Sequence, residues 1–139
     1  MASTNSLTLP KRLADAYFTG TYKMLLVTSV PSESEFDAFD FRNDITNECA
    51  NSGTYAAGGA AVTCSVGAVD ATNNRVAVTF GNPAAWTGAT LSAAGGWIYK
   101  AVGTAATDEL VTFVDFGGAI VSTAGTFTVT LSTPLYVNR

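Results

Sequence analysis

Residues 110–131 constrain this chain more than any other stretch. Leu110, Thr112, Val114 and Phe116 alternate with Val111, Phe113 and Asp115, residue types suited to a pleated surface, and the run stops at Gly117-Gly118. It reads as one strand. A second strand follows residues 119–125, with Phe127, Val129 and Leu131 on one side and Thr126, Thr128 and Thr130 on the other, because strand side chains repeat every two residues. The apolar row is expected to cover a core, and the Thr row to meet solvent or another protein. Nothing in this pattern specifies a reaction.

The rest of the chain reads in the same material. A polar arm over residues 1–8 precedes a short helix from Leu9 to Phe18, with Thr8 as candidate cap, Pro10 in the first turn, Leu9, Leu13, Ala16 and Tyr17 along one side, and Gly20 as the stop. Lys23 to Thr28 is a Leu/Val-rich strand between turn residues. From Gly53 onward, Gly, Ala, Thr and Val dominate. Ala61 to Val69 reads as a strand, Asp70 to Asn74 as a hairpin turn, and Arg75 to Phe80 as the return strand with Val76, Val78 and Phe80 on one face. Ala89 to Ala93 and Trp97 to Ala101 add short strands on either side of Gly95-Gly96, and Gly103 to Asp108 is a polar hairpin loop. Pro134 suits a sheet edge or a departing tail.

Strand starts at Lys23, Ala61, Arg75, Ala89, Trp97, Leu110 and Thr126 predict a mainly β fold, an antiparallel β-sandwich or barrel of about seven or eight strands with one or two short N-terminal helices. With 139 residues the expectation is one β-rich domain over residues 9–139 behind the arm.

Charge and composition exclude several classes of function. The net charge is −4 and 13% of residues are charged, which leaves no basic footprint for nucleic acid and nothing to draw the chain to an anionic membrane. The start of the chain is polar where a secretion signal would be basic and then apolar, and no run is long enough for a membrane span, so a cytoplasmic origin is expected. Histidine is absent, which removes the commonest general base and metal ligand. Cys49 and Cys64 are too few and too widely spaced for a zinc site, and two free, mostly buried thiols are expected; their redox state stays open.

Residues 33–48 form the acidic region, with Glu33, Glu35, Asp37, Asp40, Asp44 and Glu48 among Phe36, Phe39, Phe41 and Ile45. Asp37, Asp40 and Asp44 fit one face of a helical stretch, and Ser32 and Glu35 fit a capping box. Clustered carboxylates suit a hard cation such as calcium, but the spacing is not that of a calcium-binding loop, and a solvated acidic face is the favoured reading. Gly58-Gly59 lacks the glycine spacing of a phosphate loop. No cofactor and no catalytic or metal-binding residue is therefore assigned.

Taken in order, Lys23-Met24-Leu25-Leu26-Val27-Thr28-Ser29, Asp44 to Glu48 ahead of Tyr55-Ala56-Ala57-Gly58-Gly59, Trp86, Ile98-Tyr99-Lys100, Val114-Asp115-Phe116-Gly117 and Gly125-Thr126-Phe127-Thr128-Val129 resemble a family of small tailed-bacteriophage virion structural proteins. The resemblance runs from about Leu13 to Val137 and rests on the ordered series, since each motif alone is ordinary strand-and-turn chemistry. It departs near the start, where the connection from helix to strand is shorter. The resemblance implies a non-enzymatic part of the particle. Within it, a capsid decoration (cement) protein on the outer surface of the head is favoured, partnered by the major capsid protein or other virion proteins and forming a homo-oligomer, with a trimer favoured. A neck, tail or fibre position is the nearest alternative. A receptor or glycan-binding module would instead use Trp86, Trp97 or Tyr99 as an exposed sugar platform. An enzyme would need a buried, perturbed acid or base, for which Asp115 is the best single candidate, although hydrogen bonding to the Gly117-Gly118 turn explains that residue as well.

Overall fold

The computed structural model describes residue 6 and residues 8–138, so the arm expected over residues 1–8 lies outside the described residues except for Ser6 and Thr8. In chain order the elements are α1 (Leu9–Tyr17), β1 (Thr21–Val27), α2 (Glu33–Ala38), β2 (Ala60–Val62), β3 (Cys64–Asp70), β4 (Arg75–Phe80), β5 (Trp86–Ala101), β6 (Glu109–Phe127) and β7 (Leu135–Asn138), with a 3-10 turn at Arg42–Asp44. The protein is mainly β, as its alternation predicts. Two antiparallel sheets hold the strands in the orders β2-β1-β5-β6 and β3-β4-β7. Backbone contacts divide the chain into two compact units, Met1–Gly20 with Thr63–Gly81 and Leu131–Arg139, and Thr21–Val62 with Asn82–Thr130.

The smaller unit is built on the hairpin of β3 and β4. Asp70 accepts hydrogen bonds from the Thr72 and Asn73 N–H groups, each 3.1 Å, and Asn74 takes φ +54, so the turn forms where Asn and Asp chemistry places it. Val76, Val78 and Phe80 are buried on one face, as expected. Helix α1 packs on this sheet with a different face from the one its sequence suggests. Pro10 and Ala14 are buried while Leu13 is 57% exposed, because Phe18, stacked edge-on with Phe80 at 6.3 Å, sets the helix rotation. Thr8 occupies the cap position without making a side-chain capping bond. β7, just after Pro134, pairs with β4 and, among the described residues, stands at the edge of its sheet.

The larger unit is organised on β1 and β5. β1 pairs with strands on both sides and its Met24, Leu25, Leu26 and Val27 are fully buried, which explains why its sequence is a continuous apolar run rather than an alternation. Leu25, Val27, Trp97 and Tyr99 form a core on one face, and Phe39, Ile45, Leu110 and Phe113 close over it. Trp97 and Tyr99 indeed share a face.

Three boundaries differ from the sequence expectation. The two strands expected around Gly95-Gly96 are one, because these glycines lie inside β5 where neighbours come close: a Cβ on Gly95 would meet the Phe113 ring and one on Gly96 the Met24 side chain. The two strands expected around Gly117-Gly118 are also one. β6 runs through that pair at φ +76 and +149 and takes up the extra residues as a bulge, the register passing from Gly95↔Asp115 to Ala93↔Ile120. Its strand ends at Phe127, short of Leu131, yet Phe127 and Val129 are buried and Thr126, Thr128 and Thr130 exposed, so the alternation survives the end of pairing. Conversely, the strand expected over Ala61 to Val69 breaks at Thr63 into β2 and β3, which belong to different sheets. Seven strands are found among the described residues, in line with the expected seven or eight but with different membership.

Candidate functional site

The acidic region does not form one helical face. Ser32 and Glu35 make the expected capping interaction, Glu35 accepting the Ser32 N–H at 2.7 Å, but α2 ends at Ala38 where Phe39 turns extended. Asp44 then folds back to accept the N–H groups of Asp40 and Phe41 at 3.0 and 2.9 Å. Asp37, Asp40 and Asp44 are thus split between two local structures, and among the described residues no group of three potential ligands is placed to hold a metal ion.

A polar network ties this region to the sheet. Arg42, the lone base among those acids, pairs with Asp108 at 2.9 Å, and its guanidinium lies 5.3 Å from the centre of the Tyr99 ring. Asp108 also accepts the N–H groups of Val102 and Gly103 at 2.8 and 3.2 Å. Burial would raise its carboxyl, but the Val102 N–H, the guanidinium and the Gly103 N–H outweigh that and hold it below the ordinary carboxylate range. The Tyr99 hydroxyl donates to the Gly58 carbonyl at 2.6 Å, while Glu48 accepts the Gly58 N–H at 2.5 Å and the Tyr55 hydroxyl at 3.1 Å. In turn the Tyr55 oxygen accepts the Leu26 N–H at 2.9 Å. Burial pushes the Tyr99 hydroxyl up to about 12 and the Cys49 thiol, with Glu48 beside it, up to about 11; Tyr55 is raised further by burial. The Arg42 Nε–H, the two tyrosine hydroxyls and the Leu26, Gly58, Val102 and Gly103 N–H groups each meet backbone or another member. Its chemistry is that of a fastener holding the connection from α2 to β2 onto β1 and β5.

The residues singled out in the sequence fall as follows. Trp86, Trp97 and Tyr99 are 3%, 6% and 2% exposed, so they fill the core and present no sugar platform. The Trp97 indole N–H finds no acceptor among the described residues. Asp115 is exposed and accepts the Gly117 N–H at 2.8 Å, a turn interaction rather than a buried acid. Cys49 is buried and Cys64 half-buried, and neither is in a disulfide. Arg42 and Asp108 were not singled out by sequence reasoning; the signal available was a single base in an acidic segment.

What remains as a candidate site is a surface, the outer edge of β6. This 19-residue strand closes the four-stranded sheet and has one neighbour in it, β5. On its other side, among the described residues, the connection after α2 pairs with the beginning: Phe41 bridges to Glu109, and the Leu110 N–H donates to the Asp40 carbonyl at 2.9 Å. Beyond Asp115 the strand carries no charge and no proline, two of the usual means of blunting an exposed edge; the Gly117-Gly118 bulge is the device it does have. Ile120 and Val121 are 48% and 66% exposed. No helix among the described residues is long and apolar enough to cross a membrane. No family model, curated protein or solved structure matches the chain.

Proposed function

We propose that this protein is a non-enzymatic structural component of a tailed-bacteriophage particle, and within it a capsid decoration (cement) protein that bridges and stabilises capsid subunits on the outside of the head. The observation that carries the proposal is the long edge strand β6, which presents backbone hydrogen-bonding groups and the side chains of Ile120 and Val121 to an incoming partner. The surrounding chemistry supports it. The ionisable groups with displaced pKa values are engaged in holding backbone, and Tyr55, Tyr99 and Cys49 are held in their neutral forms. The ordered series of motifs from Lys23 to Val129 supplies the virion context.

A cement protein that binds assembled subunits in preference to free ones stabilises the lattice by mass action. Its partners would be the major capsid protein and further copies of itself in a closed oligomer, a trimer being the arrangement favoured by lattice symmetry. It would be made in the host cytoplasm and end in the virion. The test is the ratio of this protein to the major shell protein in purified particles. A ratio of the same order as one copy per shell subunit is expected. A handful of copies per particle would move the protein to the neck, tail or fibre, and absence from the particle would refute the proposal.

A further inference from the structure

Helix α1 leaves an apolar stripe uncovered. Pro10 and Ala14 are buried where the helix packs on β3, β4 and β7, while Leu9, Leu13 and Ala16, spaced along one other side of the helix, are left to solvent: Leu13 and Ala16 are exposed and Leu9 is half-buried. Arg12 lies beside this stripe and is exposed, and Lys11 next to it is paired with Asp15 at 2.6 Å. A second surface, on the other unit, has the opposite charge. On α2, Glu33, Phe36 and Asp37 are neighbours at helical spacing and all exposed, and Asp40 and Phe41 follow them, also exposed. Arg42, the lone base in residues 33–48, is committed to Asp108 and Tyr99. The two units differ in the same sense. The unit that contains α1 holds four bases, Lys11, Arg12, Arg75 and Arg139, against two acids, Asp15 and Asp70, for a net charge of +2; the other holds three bases, Lys23, Arg42 and Lys100, against nine acids, for a net charge of −6.

From these two surfaces we propose that α1 of one copy docks on the α2 region of a second copy of the chain. Leu13 and Ala16 lie against Phe36 and Phe41, and Arg12 faces Glu33 and Asp37. The occupant is a second copy because the chain carries both halves of the contact, an apolar stripe with a base beside it and exposed aromatic rings set among acids. Charge also selects the arrangement. Pairing α1 with α1 would bring bases together, and pairing α2 with α2 would bring acids together, so the favourable contact joins unlike surfaces. Such a contact repeats head to tail from copy to copy, and a ring closes it with no surface left over. The inference rests on the closed-oligomer part of the proposed function and names the two surfaces that build it.

The test is sedimentation of the full chain over a concentration series at low salt. The wild type is expected to associate into a closed oligomer, less tightly as salt is raised. Arg12→Glu and Asp37→Lys, both at exposed positions, should each weaken association about tenfold with the melting temperature unchanged. The chain carrying both substitutions, in which the charges are exchanged, should recover to within about threefold of wild type. Leu13→Ser should weaken association about tenfold or more, again without a change in melting temperature. A monomer at every concentration, single variants that associate like wild type, or an exchanged pair that fails to recover would overturn the inference. The particle ratio reports separately on the cement reading. High copy number with a monomeric protein in solution removes only this contact, and recovery by charge exchange in a protein missing from particles removes only the virion role.

Discussion

At the residue scale, burial and pairing decide what each ionisable group can do. Asp108 is the sharpest case. Asp108→Asn would leave the Arg42 guanidinium without its charge partner in a half-buried site and weaken two backbone hydrogen bonds, for an expected loss of about 2–4 kcal/mol in urea unfolding. The pH dependence follows from the direction of its shift. Its folded value lies below the ordinary carboxylate value, so its contribution is complete above about pH 4 and is lost as pH falls through the folded value. The stability gap between wild type and Asp108→Asn should therefore close on acidification; a gap that stays constant down to strong acid would contradict the pairing. Tyr99→Phe removes one buried bond, to the Gly58 carbonyl, and should cost about 1 kcal/mol. Cys49, 4% exposed and with its thiol pushed up to about 11, should resist alkylation at neutral pH in a Cys64→Ser background until the protein opens. Rapid labelling of the native protein would show that its cover is loose.

At the scale of elements, glycines mark where neighbours must come close as often as where the chain turns. Gly59 has φ +71 and a Cβ there would overlap the Met24 carbonyl, so Gly59→Ala is expected to cost about 2 kcal/mol or more. Gly96→Val, in the middle of β5, would drive a side chain into Met24 and should cost about 3 kcal/mol, read as a lowered melting temperature. If β5 were instead two strands joined by a turn at Gly95-Gly96, that substitution would be tolerated. Local chemistry made the capping box of α2 and the Asp70 to Asn74 hairpin legible, because Ser32 with Glu35 and Asp70 with Asn74 act within a few residues of each other. The merging of strands at Gly95-Gly96 and Gly117-Gly118 was not legible. A glycine pair reads alike as a turn, as a bulge and as room for a neighbour, and only Phe113, Met24 and the register with β5 distinguish them. The face of α1 was hidden for the same reason, since its rotation depends on Phe80, more than sixty residues away in the chain.

At the scale of the molecule, both sheets join strands far apart in sequence: β1 pairs with β5 and β4 with β7. Such pairing requires long loops to close before contacts compensate, so refolding from urea is expected on a millisecond to second timescale in stopped-flow fluorescence, with microsecond folding excluded. The β6 edge belongs to this scale too, because an edge exists only once a strand order is set.

What the amino-acid order determined by itself was whatever depends on near neighbours and on totals. The period-two alternation made the chain mainly β, the turn residues placed its hairpin, and the lack of histidine and of basic stretches narrowed its chemistry. Tertiary structure alone decided which strands merge, that the tryptophans lie inside, that Arg42 meets Asp108, and that β6 stands at an edge beside an acidic, apolar surface. Alternation and turn preferences act over a few residues. Register, burial and edge position are set by strands meeting across tens of residues, and no local pattern encodes which strand a segment will meet.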